Sequence, residues 1–331
     1  MSINQTFATP SYSSENLSKF VLLASLEVPS ILVSLSIFIY FAYYRTTRLT
    51  YKNYSILVFL FVNFLQVAID LPMIISFYYL NGVVQPATSA YCIWWVWYDF
   101  SLNIVNCFFM AWISIERYLL VFHDTLLRNL ARWKRQLLYI VPLLFCSLWP
   151  PSYYAFTIIF SPMCVTTRYY DTLTCGLPCY LFTVWGIVDL FLNTTLPVAT
   201  ILIFNLLLFG RVIYRNMTVR GRMQNTWHRH RKMGLQLGMI SFVYLAIWIP
   251  VVVTQFGENF INPDFLFDAS HTFYFLICII PLLLPMVCLM SMPEVLKAFK
   301  VLICKQQAVA VMPSNSITLR PLPKANPVSK C

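Results

Sequence analysis

Charge is what this chain has least of. Asp, Glu, Lys and Arg make up 11% of its 331 residues and hydrophobic residues 59%, against about 25% and about 45–50% in ordinary soluble domains. That scarcity excludes a soluble fold, which could not hide so much apolar surface. Histidine is scarcer still: His123, His228, His230 and His271 are all there are, and none falls in the middle of an apolar run. With no P-loop, HExxH or GxSxG pattern either, the sequence offers no enzyme chemistry. The ten cysteines lack the two short paired spacings of a zinc site, so no metal or other cofactor is expected. The head has neither a basic n-region nor a short apolar stretch with a small-residue cleavage site, so no cleaved signal peptide is expected.

What the chain has is apolar runs of membrane-spanning length. Seven lie at approximately 20–44, 54–80, 90–122, 136–160, 180–213, 233–257 and 272–293, each long enough to cross about 30 Å of hydrocarbon. Pro29, Pro72, Pro142, Pro197, Pro250 and Pro285 fall inside them, which a helix bundle tolerates because neighbouring groups re-satisfy the freed backbone. Barrel strands alternate over about ten residues, and these runs are continuous. The expected architecture is an all-α, seven-transmembrane helix bundle.

Lysine and arginine placement sets the orientation. One set of loops carries Arg45, Arg48, Lys52, Arg128, Arg132, Lys134, Arg135 and the basic stretch from Arg211 to Lys232; the other holds Lys19 and Arg168. Residues 1–19 are therefore expected outside and the C-terminal tail in the cytosol of a multi-pass plasma-membrane protein, with the first span as signal anchor. The head carries two glycosylation sequons, at Asn4 and Asn16. The net charge of +11 then belongs beside anionic inner-leaflet lipid rather than on nucleic acid. Residues 294–304 segregate apolar and basic side chains as a short amphipathic helix, the eighth. The proline- and serine-bearing stretch 305–331 has the composition of a disordered tail.

Cys92 stands 25 residues before Arg117, which lies in the triplet Glu116-Arg117-Tyr118 at the inner end of the third run. The sixth run holds Trp248-Ile249-Pro250, the fifth Pro197, and Pro285 follows Trp248 by 37 residues. In order and spacing these marks resemble rhodopsin-like (class A) G-protein-coupled receptors over nearly the whole chain. The resemblance implies a receptor that passes an extracellular small-molecule or peptide ligand's signal to a heterotrimeric G protein, with Glu116, Arg117, Tyr118, Trp248, Pro250 and Pro285 as switch elements. It implies a disulfide from Cys92 to the loop after the fourth span; Cys175 is favoured by its distance from Pro197, with Cys164 and Cys179 as alternatives. It makes Cys304 a palmitoylation candidate, a free cytosolic thiol being the plainer reading.

Departures from the family pattern are as informative. The seventh run reads Leu284-Pro285-Met286-Val287-Cys288, without the family's asparagine and tyrosine, and Asn63 and Asn106 stand where a sodium-binding carboxylate and its partner are usual. Two amides suit a hard cation poorly. His230 replaces a frequent acid and Asn205 a frequent tyrosine, so active-state contacts should differ. No lysine occurs between Lys232 and Lys297, which excludes retinal Schiff-base chemistry.

Four acids lie inside the runs away from the inner triplet: Glu27, Asp70, Asp99 and Asp189. Ionisable groups there are costly enough to be functional candidates. Asp99 precedes Arg117 by 18 residues, about five turns or about 27 Å along a helix. By resemblance to amine receptors it would pair with a ligand ammonium, and Asp189 with Asn193 would face it from the fifth helix. Asn103, Trp248, Gln255 and Tyr274 complete the candidate pocket for a small amine, cationic peptide or chemosensory ligand. Interhelical hydrogen bonding is the plainer role for Asp99, while Trp94, Trp95, Trp97 and Tyr98 read as an interfacial aromatic belt. The rival class is a seven-span transporter or channel, against which the sequence shows no internal repeat.

Overall fold

The computed structural model describes residues 13–43, 51–122, 129, 131–160, 168–218, 224–262 and 265–291, and among them every regular element is helical. Helix α1 is Ser14–Tyr43. Helix α2 comprises Tyr51–Leu65, a π-helical turn Gln66–Asp70, and Leu71–Tyr79. Helix α3 is Ser89–Phe122, and α4 is Arg132–Tyr154 continued by the π turn Ala155–Ile159. Helix α5 comprises Val184–Val188, the π turn Asp189–Thr195 and Leu196–Thr218; α6 is Gln224–Phe260 and α7 is Phe267–Ser291. All seven contain a stretch long and apolar enough to cross a membrane, so the chain has the architecture of a seven-span membrane protein. The expected helix over 294–304, the tail beyond it, Asn4 and Cys304 lie outside the described residues.

Burial follows helical period. On α1 the covered stripe is Leu23, Ser30, Ser34, Ile37 and Phe41, while Val21, Val28, Leu32 and Ile39 face outward, as an amphipathic membrane helix requires. Ser30 and Ser34 are small residues that allow close backbone approach. Helix α3 is the axis of the bundle: 61% of its spanning window is buried, against 22–44% for the other six. Functional side chains on α3 therefore face protein rather than lipid.

Three π turns stand beside prolines. Pro72 follows the one in α2, Pro150 and Pro151 precede the one in α4, and Pro197 follows the one in α5. A proline ring cannot donate to the carbonyl four residues back and clashes with it, and local widening of the helix relieves that conflict. Pro285 leaves the carbonyl of Pro281 without its helical donor; the Asn63 side chain supplies one from α2, Nδ2 to O at 2.9 Å.

Helix α1 begins earlier than the apolar run. Ser13 Oγ accepts from the Asn16 backbone, and the Asn81 side chain accepts from both the Ser13 N–H and Asn16 Nδ2, at 3.3 and 3.2 Å. Asn16, expected as a glycan acceptor in an exposed head, is thus a helical residue whose amide nitrogen is already engaged. Between α4 and α5 the chain folds back over the end of α3. The Val84 N–H donates to Tyr170 O, and Cys175 is bonded to Cys92 with 5.8 Å between Cα atoms, inside the ordinary range for disulfides. Gly176 follows with φ +91°, a conformation that suits a residue without Cβ. Cys179 is disulfide-bonded too.

Candidate functional site

At the bridged end, a hydrogen-bonded seam of polar side chains joins α2 to α3. It begins at Asp70, which is 1% exposed and accepts from Trp95 Nε1 at 3.2 Å. The Asp70 and Asp99 carboxyls lie within electrostatic reach of one another. Asn103 Nδ2 donates to Asp99 Oδ1 at 2.8 Å; Gln66 Nε2 donates to Asn103 Oδ1 at 2.9 Å; Asn106 Nδ2 donates to Gln66 Oε1 at 2.6 Å. Tyr98 adds a bond to the Leu65 carbonyl at 3.1 Å. The π turn makes this possible, since Gln66 and Asp70 are its first and last residues and both turn toward α3. Asp99 is partly exposed while Asp70 is sealed behind it.

A second network fastens α5 to α4 and to the loop above it. Asp189 Oδ1 accepts from Tyr154 at 2.8 Å and from Asn193 Nδ2 at 2.7 Å, and Oδ2 accepts from Tyr180 at 3.0 Å. Asn193 Oδ1 in turn accepts from Trp149 Nε1 at 2.9 Å. Asp189 and Asn193 are buried, and three donors satisfy a carboxylate that has no cation beside it among the described residues. Tyr180 lies in the loop outside the spanning helices; burial, with the Asp189 charge next to it, pushes its hydroxyl well above the ordinary range and keeps it a donor.

The structure pairs Asp99 with Asn103 and Asp189 with Asn193 within their own helices. Each carboxylate belongs to its own interhelical network, Asp99 toward α2 and Asp189 toward α4. Gln255 and Tyr274 meet in a hydrogen bond between α6 and α7, and Trp248 is buried in the core with Tyr244 and Val251. Most of the aromatic belt expected on α3 is something else. Trp94 is 41% exposed, but Trp95 is 1% exposed on Asp70, Trp97 donates to the Pro151 carbonyl at 3.0 Å, and Tyr98 bonds α2. An indole in a membrane protein can serve a buried acid as well as the headgroup layer, and apolar spacing alone does not distinguish the two.

The residues that sequence reading passed over are Gln66, Tyr154, Tyr180 and Trp149, together with the pairing of Asp70. Two signals pointed to Gln66 and Asp70, though not to the three aromatics. Gln66/Asp70, Asp99/Asn103 and Asp189/Asn193 each repeat a polar pair at a spacing of four, which stacks them on one helix face; and two of these pairs adjoin prolines.

At the opposite end of α3, Glu116 and Arg117 are buried, 2% and 4% exposed. Glu116 Oε1 and Arg117 Nε and Nη1 have no hydrogen-bond partner among the described residues. Consecutive helical residues point to different faces, so attraction between them acts through space without a shared hydrogen bond. Ser55 lies toward the Glu116 carboxyl from α2. The Tyr118 ring packs edge-on against Phe204 of α5, and Arg211 sits over the rings of Tyr118 and Phe122 at 5.5 and 5.1 Å. One turn deeper, Asn205 Nδ2 donates to Ser114 Oγ at 3.1 Å, so the α5 asparagine is an α3–α5 link in this packing. Pro250 and Pro285 lie inside α6 and α7. Helix α3 thus carries a partly exposed acid near one end and an unsatisfied buried arginine near the other. Among known proteins, no family model matches the chain, and no curated protein matches it.

Proposed function

We propose that this protein is a receptor of the rhodopsin-like G-protein-coupled type, binding an extracellular ligand at the bridged end and engaging a heterotrimeric G protein at the arginine end. The observation that carries the reading is the state of Arg117. A buried guanidinium with two unbonded nitrogens costs free energy that a partner would relieve. A packing that exposes Arg117 to an acceptor on another protein therefore competes with the one described here, and a ligand that favours it shifts the population. Asp99, partly exposed beside Asn103, is the group a cationic ligand would meet, an amine or a basic peptide. The bridged end faces outside on this reading, consistent with a disulfide's persistence in an oxidising compartment and with the basic loops at the other end.

Purified protein in lipid vesicles with a panel of heterotrimeric G proteins tests the reading. Accelerated GDP release from one of them is the expected result. Ion or solute flux across the vesicle wall, with no effect on any G protein, would establish a transporter or channel instead.

A further inference from the structure

N-linked glycosylation joins a sugar to the side-chain nitrogen of an Asn-x-Ser/Thr triplet, and the hydroxyl of the third residue must reach the same enzyme site. Asn16-Leu17-Ser18 has the composition of such a triplet but not the shape. All three residues lie in the first turns of α1, Ser14–Tyr43, and side chains two apart on a helix point to different faces. Both reacting groups are also engaged. Ser18 Oγ donates to the Ser14 carbonyl at 2.8 Å, and Asn16 Nδ2 donates to Asn81 Oδ1 at 3.2 Å.

The turn that receives this bond is shaped for it. Asn81 follows α2 with φ +57° and Gly82 comes next at +88°, a left-handed pair that asparagine and glycine adopt more readily than other residues. A Cβ at Gly82 would stand 3.7 Å from Asn16 Nδ2, so the turn lies against the amide that a sugar would have to occupy. The next turn of α1 is secured as well. Lys19 Nζ pairs with Glu15 at 2.6 Å and stands 5.6 Å from the Tyr78 ring centre of α2 and 5.5 Å from that of Phe275 of α7. From these contacts we infer that Asn16 carries no glycan and serves instead as a clasp between the start of α1 and the end of α2.

The inference rests on the outward placement of the bridged end in the proposed function. Asn53, Asn193 and Asn216 begin further triplets. Asn193 is buried within α5, while Asn53 near the start of α2 and Asn216 near the end of α5 belong to the opposite end of the bundle. Those two report the orientation independently of Asn16.

The full chain is expressed in glycosylating animal cells, and occupancy at each triplet is read by mass spectrometry after enzymatic release of the glycans in heavy-oxygen water. Label at Asn4 and none at Asn16 is the expected result. A flexible Gly-Ser spacer inserted between Ser18 and Lys19 detaches the triplet from the helix and should add one glycan, at Asn16. Unfolding midpoints test the clasp itself: Asn16→Ala should lower the midpoint more in wild type than in Asn81→Gly, which keeps the turn and removes the acceptor. A glycan on Asn16 of the wild type, a spacer variant still bare there, or an equal effect of Asn16→Ala in both backgrounds would overturn the inference. A glycan on Asn53 or Asn216 would instead overturn the orientation, and the inference with it.

Discussion

Trp95 donates its indole N–H to the carboxyl of Asp70 across the α2–α3 interface, at 3.2 Å, with both side chains 1% exposed. Neither residue can exchange that bond for water, so the pair fixes how α2 meets the central helix. Replacing Trp95 by Phe removes the donor and leaves Asp70 with less support in a dry seam. A loss of about 1–2 kcal/mol is expected, within what interhelical hydrogen bonds in membranes and orphaned buried acceptors cost. Trp94→Phe, on an exposed ring, should be neutral. Thermal unfolding of the two variants in one detergent checks the difference.

The Asp189 network makes a parallel prediction for the loop. Tyr180→Phe strips one of three donors from a buried carboxylate and should lower stability by about 1–3 kcal/mol; Tyr154→Phe, which donates to the other carboxylate oxygen, should do the same. The hydroxyl of Tyr180 is raised above its ordinary value by burial. Its contribution is therefore fully present below about pH 10, the ordinary tyrosine value, and is lost only as pH rises through the raised one. A constant gap between wild type and Tyr180→Phe from about pH 7 to about pH 9 is the expected outcome.

Much of this architecture was legible in the amino-acid sequence. The seven runs became seven helices because continuous apolar length is a strong physical signal, and the family spacing anticipated the Cys92–Cys175 bridge. The placement of the acids was less so. Asp189 falls at a depth where a pocket would put it, but the face it presents depends on the π turn beside Pro197, as the faces of Gln66 and Asp70 toward α3 depend on the one beside Pro72, and helical counting at 3.6 residues per turn cannot anticipate a widened turn. Trp95 was misplaced for a related reason: an indole near the end of a span suits the interface until a buried acid on the next helix claims it. Asn16 reads as an open sequon, yet Asn81, far along the chain, engages it.

Glycines offer a test of packing with opposite signs. A Cβ at Gly257 would collide with the Phe265 ring, whereas at Gly210 nothing lies within 4 Å. Gly257→Ala must push Phe265 off α6 and should destabilise by about 1–3 kcal/mol. Gly210→Ala fills open space in a helix and should stabilise by up to about 1 kcal/mol. Unfolding midpoints moving in opposite directions are the expected result.

The central claim concerns Arg117, and the most direct measurement is GDP release from a responsive heterotrimeric G protein driven by wild-type protein and by Arg117→Ala, both in vesicles and both shown to be folded by their unfolding midpoints. The account predicts that wild type accelerates release while folded Arg117→Ala does not. Acceleration by Arg117→Ala equal to that of wild type would contradict it.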